Sequence, residues 1–363
     1  MFLTAVVIGY MTSSFLSGFL LSRIGVGRIL AGSCFLTGCA LIGYTLVPQW
    51  WMMVLLGVVA GLGAGAIDAS LNTYVASNFG EGIMQWLHAF WGVGITIGPI
   101  IMTLGLTTFN TWRFGYRVVG GFQILLAVGF VLTLAMWTQQ HAPSSKSAET
   151  ETEKRLTDYK TPMRETLRQP QVWLSVVLFF MYTGAESSLG TWTYTLLTES
   201  RGVNLTLAGF LAGSYWFTFT IGRIVAGMFA RRVGVNKLVL GGLAGALLGA
   251  ALLVWNPSIT ANVVAVALIG LSIAPIFPAM MSGTPMRVGN HYAANTIGMQ
   301  IAATGFGTAV IPSLMGVLAR QISLEVIPVC LLAVYAGLLG FYLLAVRAQR
   351  AVAVAAAERV EEA

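Results

Sequence analysis

The chain has 363 residues, of which 56% are hydrophobic and only 9% charged, and its mean hydropathy is +0.79. A water-soluble domain carries about 25% charged residues, so the composition excludes one and selects an integral membrane protein. The formal net charge of +7 does not point to nucleic acid, because the basic residues sit between apolar runs.

Eleven apolar runs are predicted as membrane-spanning helices, at about 2–22, 28–47, 51–76, 86–107, 116–137, 171–196, 206–230, 236–254, 259–282, 294–318 and 324–346. The first, Phe2 to Ser22, lacks the charged leading region of a secretory signal. In the third, Gly57, Gly61 and Gly65 recur every four residues and mark a close helix–helix contact. Asp68 and Asn72 continue that register, so the acid and the amide share nearly the same face as the glycines. The fourth run opens with Gln85 and His88, then Trp91, and ends its glycine-rich stretch at Pro99. A polar segment at 138–170 contains Ser144, Ser145 and a mixed-charge run from Lys146 to Arg168; its end, Thr161 to Gln169, reads as a short surface helix. Gly241, Gly245 and Gly249 form a second packing ladder. After Arg347 the tail is Ala/Val-rich and then acidic, which reads as frayed. Cys34, Cys39 and Cys330 all lie in apolar runs and read as small core residues, not as a disulfide or metal set.

The expected organisation is a five-span bundle at 1–137, a linker at 138–170, a six-span bundle at 171–346 and a tail at 347–363. With the linker in the cytosol, fifteen Lys and Arg residues fall inside. Only Arg113, Arg117, Arg201 and Arg320 fall outside, and Arg223 lies within a span. The positive-inside rule therefore places the amino terminus outside and the carboxyl terminus inside the cell.

The two bundles repeat. Gly18, Arg23 and Gly25 recur as Gly227, Arg232 and Gly234 at an offset of 209 residues, as does Gly61 at Gly270. With a four-residue slip, Gly92, Gly94 and Pro99 match Gly305, Gly307 and Pro312. Parallel repeats are common in transporters, with the substrate site between them. On this offset the partner of the span at 171–196 falls before Met1, so the sequence is expected to lack the first helix of its first bundle.

These residues resemble the major facilitator superfamily, whose loop signature between the second and third helices is GxLxDRxGRR. The run from Gly18 through Ser22, Arg23, Gly25 and Gly27 to Arg28 matches it, with Ser22 in the Asp position and Gly27 in a basic one. The repeat copy carries Arg231 in the Asp position, so the loop acid is missing from both halves. Within the superfamily the chain is similar to fucose-permease-like sugar:proton symporters. The resemblance rests on Asp68 followed by Asn72, on Gln85 to His88 before Gly92, Gly94, Gly98 and Pro99, on Gly184 to Glu186 with Gly190 and Trp192, and on Ala274, Pro275 and Pro278. It implies an all-α, two-bundle membrane fold and alternating access without cofactor or ATP.

Only Asp68, Glu186 and Arg223 are charged well inside spans. An intramembrane acid is a functional candidate by default, because it is costly to keep in hydrocarbon. Asp68 and Glu186 are the candidates for proton coupling; the alternative for each is a structural bond to a neighbouring helix. Arg223 reads as snorkelling or gate-pairing. Substrate candidates are Asn72, His88, Trp91, Gln123, Trp192, Trp216, Asn295 and Gln300, since sugars stack on aromatic rings while amides take their hydroxyls. Tyr215 belongs to the same set, and His88 is also placed to pair with Asp68. Aromatic residues equally belt membrane interfaces, and Trp50, Trp51, Trp112 and Trp255 read that way.

No Walker loop, metal-ligand cluster or nucleophile motif is present, so nothing indicates an enzyme. The expected activity is secondary transport of a small solute, a sugar or related polar compound, together with protons across the inner or plasma membrane. An efflux carrier for amphipathic compounds, or a non-transporting or partner-dependent membrane protein, remains the alternative.

Overall fold

A computed structural model describes residues 1–139 and 155–361; most of the linker's mixed-charge run, with Ser144, Ser145 and Lys146, lies outside the described residues. The chain forms α1 (Phe2–Ile24), α2 (Val26–Tyr44), α3 (Trp50–Asn78), α4 (Glu81–Thr108), α5 (Arg113–Leu132) and the short α6 (Leu134–Gln139). After the linker come α7 (Met163–Thr166), α8 (Pro170–Thr195), α9 (Leu205–Val233), α10 (Val235–Trp255), α11 (Ile259–Ile273), α12 (Ile276–Ser282), α13 (Thr284–Val288), α14 (Asn290–Gln321) and α15 (Val326–Glu361). Among the described residues, 11 helical segments are long and apolar enough to cross a membrane, at the positions the apolar runs predict. Large apolar side chains stay exposed along them, such as Leu125 at 71% and Phe210 at 74%, which suits lipid as solvent.

Three details differ from the sequence expectation. The fifth span stops at Leu132 and turns at Thr133, whose hydroxyl bonds back to the Gly129 carbonyl at 2.8 Å. The following Trp137 indole donates to Thr133 Oγ1 at 3.2 Å. The ninth span is broken between Ile273 and Ile276, because Pro275 has no N–H to continue the ladder. The tail, expected to fray, is assigned to the helix: α15 runs on to Glu361, as the alanines at 351–357 favour.

Packing divides the chain into two units, Met1–Asn78 with Trp91–Gln169 and Gly289–Ala302, and Phe79–Phe90 with Pro170–Val288 and Ala303–Ala363. In the first unit, α1 and α3 touch backbone to backbone. A Cβ on Gly61 would lie 2.0 Å from the Val6 carbonyl oxygen, one on Gly65 2.2 Å from the Tyr10 oxygen, and one on Gly9 2.2 Å from the Val58 oxygen. The glycine ladder of the third span is thus a close helix crossing, as its spacing predicts. Leu21, Val26, Ile29, Leu30 and Ala66 form a core cluster beside it.

In the second unit, the ladder on α10 is shifted from the one expected. Gly241 faces open space, while Gly242, Gly245 and Gly249 press on Ser272 and Ile269 of α11. The helix face that packs starts one residue later than the four-residue spacing suggests. At one end of this unit Arg201 ties four segments together. It bonds both Glu325 oxygens at 2.7 and 3.0 Å, Asn262 Oδ1 at 2.7 Å and the Leu253 carbonyl at 2.8 Å. The Arg201 guanidinium holds the Glu325 carboxyl below the usual glutamate range.

The repeat is visible in the backbone. Gly25 joins α1 to α2 with φ 85 and ψ 153, and Gly234 joins α9 to α10 with φ 80 and ψ 157. Side chains avoid this region, so both corners require glycine.

Candidate functional site

Each unit holds one intramembrane acid, and the two are built differently. Asp68 lies ten residues before the end of α3, on the face that continues the glycine ladder. Close approach at Gly65 brings Tyr10 of α1 alongside, and the Tyr10 hydroxyl donates to Asp68 Oδ2. Asn72, one turn on, donates its amide to Asp68 Oδ1 at 2.8 Å and to the Asp68 carbonyl at 2.9 Å. Asn72 is buried at 1% exposure, and Asp68 is half-buried. Ser14 and Ser70, both fully buried nearby on α1 and α3, have hydroxyls with no partner among the described residues.

Glu186 of α8 lies in a shell of aromatic hydroxyls in the second unit. The Tyr215 hydroxyl donates to the Glu186 backbone carbonyl at 2.8 Å. The Tyr182 hydroxyl donates to the Ile273 carbonyl at 2.9 Å and also meets the Glu186 carboxyl. Tyr335 of α15 is fully buried within electrostatic reach of Glu186, and its hydroxyl has no partner among the described residues. Arg223 of α9 is buried at 3% exposure within electrostatic reach of the same acid. It donates to the His88 carbonyl at 3.0 Å and lies 4.2 Å over the Phe219 ring. Arg223 therefore does not snorkel; it joins α9 to the start of α4.

The break between α11 and α12 sits against this shell. Tyr182 takes the Ile273 carbonyl, and the Gln85 amide donates to the Pro275 carbonyl at 3.0 Å. The Phe277 ring is surrounded by His88 at 4.8 Å, Phe179 at 5.0 Å and Tyr182 at 5.8 Å. Irregular backbone inside a membrane is stable only where protein or water satisfies it, and here side chains from α4 and α8 do so.

The remaining candidates fall in different places. Trp192 donates its indole N–H to the Pro312 carbonyl at 3.0 Å and packs on Gly316 of α14. Trp216 rests on Gly190 and meets the Tyr215 ring edge-on at 4.8 Å, so it borders the Glu186 shell. Asn295 is committed to the linker: its amide donates to the Thr161 carbonyl and to Thr166 Oγ1, both at 3.0 Å. Gln300 is fully buried, Trp91 is half-exposed, and Gln123 Oε1 is buried with no partner among the described residues. His88 is buried, with its ring on Phe277.

The loop-motif residues serve the helix ends. A Cβ on Gly18 would lie 2.6 Å from Asn295 Cα in the first unit, and one on Gly227 3.1 Å from Trp86 Nε1 in the second. Arg23 lies 4.0 Å over the Phe19 ring, while Arg28 and Arg232 are exposed. Tyr10 and Tyr335 were invisible to sequence reasoning: an isolated tyrosine in an apolar run reads as core, and only the crossing of helices brings it to an acid. No group of three or more His, Cys, Asp and Glu residues suited to a metal occurs among the described residues.

The family model for the Major Facilitator Superfamily matches residues 1–312 and, in a second overlapping match, 196–361. The glucose/mannose transporter GlcP of Bacillus subtilis is 24% identical over 86% of this chain and 78% of its own length. The human sodium-dependent glucose transporter 1 is 22% identical over 86% of this chain, which spans 64% of that protein. The crystal structure of the fucose:proton symporter FucP of E. coli superposes with a TM-score of 0.69 at 15% identity, covering 94% of this chain and 89% of the other.

Proposed function

We propose, from the premise that this chain belongs to the Major Facilitator Superfamily, that it carries a hexose-like sugar together with protons by alternating access. That it is a membrane transporter of this superfamily and not an enzyme follows from its family and fold. The sugar substrate is inferred from the relatives whose names are glucose transporters. The observation that supports coupling is the pair of acids, Asp68 and Glu186, one in each unit and each hydrogen-bonded to a tyrosine.

A proton rule operates at Glu186. The Tyr182 hydroxyl has one hydrogen. While that hydrogen goes to the Ile273 carbonyl, Tyr182 can only accept from Glu186, which fits a protonated acid. Ionised Glu186 would draw the hydrogen to itself and leave the Ile273 carbonyl, at the helix break, without its donor. The charge would also pull Arg223 from the His88 carbonyl. Protonation of Glu186 is thereby linked to the start of α4 and to the α11–α12 break. Asp68, with Tyr10 and Asn72, supplies the second titrating position, and Trp216 supplies an aromatic face near Glu186. The protein resides in the inner or plasma membrane with its amino terminus outside, its linker and carboxyl terminus in the cytosol, and the five-span and six-span bundles as its two moving parts.

Proteoliposomes supplied with external radiolabelled glucose or mannose test this reading. Wild-type protein should accumulate sugar under an imposed proton gradient. Asp68→Asn should reduce accumulation at least tenfold while sugar exchange without a gradient persists. Unchanged accumulation in Asp68→Asn overturns its coupling role, and accumulation driven by sodium but not by protons overturns proton coupling.

A further inference from the structure

At the end of α1 in the first unit lies a cavity of about 430 Å³. Among the described residues its wall carries three cationic side chains, Arg23, Arg28 and Lys160, against one carboxylate, Asp158. Asp158 is engaged in its own turn, accepting from the Arg155 N–H at 3.1 Å and facing Thr157 Oγ1 at 3.5 Å. Arg23, Arg28 and Lys160 form no salt bridge among the described residues; the Arg23 guanidinium lies over Phe19. The cavity rim also includes Gly25 to Arg28, the start of the 19-residue helix α2. Gly25 has no side chain to cap that helix, so its first N–H groups remain donors at the rim.

A second groove, of about 340 Å³, runs between α2 and α5 and is lined by Ala31, Gly32, Phe35, Ala127, Val128, Val131 and Leu132. On α2 it begins three residues after Arg28, roughly 4.5 Å further along the helix. It is wholly apolar. Trp137 and Leu134 line the cationic cavity beside the end of α5, where an indole marks a membrane–water interface. A cationic pocket at the interface and an apolar groove directly below it match the two chemistries of one molecule.

We propose that this site holds an acidic glycerophospholipid, its phosphodiester in the cationic cavity and one acyl chain in the α2–α5 groove. A zwitterionic lipid also has a phosphate, but its ammonium group would meet three cations. The loop-motif residues Arg23, Gly25 and Arg28 thereby form a lipid contact. This assignment is independent of which solute the protein carries.

The test is native mass spectrometry of the purified full chain, delipidated and then titrated with phosphatidylglycerol, phosphatidylcholine or inorganic phosphate. Wild-type protein should retain phosphatidylglycerol at least tenfold more tightly than phosphatidylcholine. Arg28→Ala combined with Lys160→Ala should reduce that preference about tenfold. Gly32→Leu fills the groove at a position where a Cβ meets nothing within 4 Å, so the fold tolerates it, and it too should weaken phosphatidylglycerol retention. Lys160→Ala alone changes only an exposed linker residue and keeps the test alive if the double variant fails to fold. Equal retention of the two lipids, or unchanged retention in Lys160→Ala and Gly32→Leu, overturns the proposal. Displacement of phosphatidylglycerol by millimolar inorganic phosphate assigns a soluble-phosphate site instead and also overturns it.

Discussion

Asp68 is held by two donors, one from its own helix and one from a helix pressed against it through glycines. Glu186 is enclosed by groups from its own helix and from two others, α9 and α15, and is buried at 8% exposure. The first arrangement is thin: its geometry depends on α1 and α3 staying in backbone contact. The second is thick and buried, and it contains a tyrosine hydroxyl that nothing among the described residues satisfies. An acid reached by few groups is governed by helix separation; an acid in a hydroxyl shell is governed by where each proton points.

The comparison breaks most easily at the first unit's seam. Gly61→Leu would put its Cβ 2.0 Å from the Val6 oxygen, so α1 and α3 must part. A loss of stability above about 3 kcal/mol is expected, read as loss of monodisperse protein and a lower Tm. Gly241→Ala, facing open space, should leave stability unchanged or raise it by roughly 0.5–1 kcal/mol, read as an equal or higher Tm.

The next effect concerns the second unit's clasp. Arg201→Ala leaves the Leu253 carbonyl and Asn262 without a donor, and should cost about 2–3 kcal/mol. The ion-pair part is small because Glu325 is 42% exposed and screened. Its pH dependence has a definite sign. Glu325 is held below its ordinary carboxyl value of 4.5, so its contribution is full above that value and fades as pH falls through the lowered one. The Tm difference between wild type and Glu325→Gln should therefore be constant from about pH 6 to 8 and shrink below about pH 4.5.

The two tyrosines give the sharpest contrast. Tyr10→Phe removes a donor from Asp68 and should reduce gradient-driven sugar accumulation severalfold, the effect of about 1–2 kcal/mol. Tyr335→Phe removes an unsatisfied hydroxyl and should leave stability unchanged or improved by up to about 1 kcal/mol. If Tyr335→Phe instead abolishes uptake with Tm intact, that hydroxyl meets the sugar, and the hydroxyl shell around Glu186 is a binding wall.

Much of the fold was legible because lipid imposes a simple code. A span needs length and low charge, and a close crossing needs small residues, so the eleven spans and the ladder at Gly57, Gly61 and Gly65 could be read directly. The break at Pro275 and the turn at Thr133 were less legible, since one depends on which neighbouring side chains take the freed carbonyls and the other on a local hydroxyl bond. The acids announced themselves by cost. Their partners did not: Tyr10 is 58 residues from Asp68, and nothing in a row of apolar letters marks which tyrosine faces which carboxyl. Asn295 shows the reverse. Its amide suggested a sugar contact; in the fold it lies beside Gly18 and donates to Thr161 and Thr166.

The corners at Gly25 and Gly234 have a mechanical consequence. Each places a single residue between two long helices, with nearly the same φ and ψ in both copies. A longer connection would take up a twist as slack. One residue cannot, so the end of α1 stays beside the start of α2, and the end of α9 beside the start of α10, and any change of angle within a pair is concentrated at its glycine. The duplicated chain thus carries two matched corners, each with its bending confined to one residue.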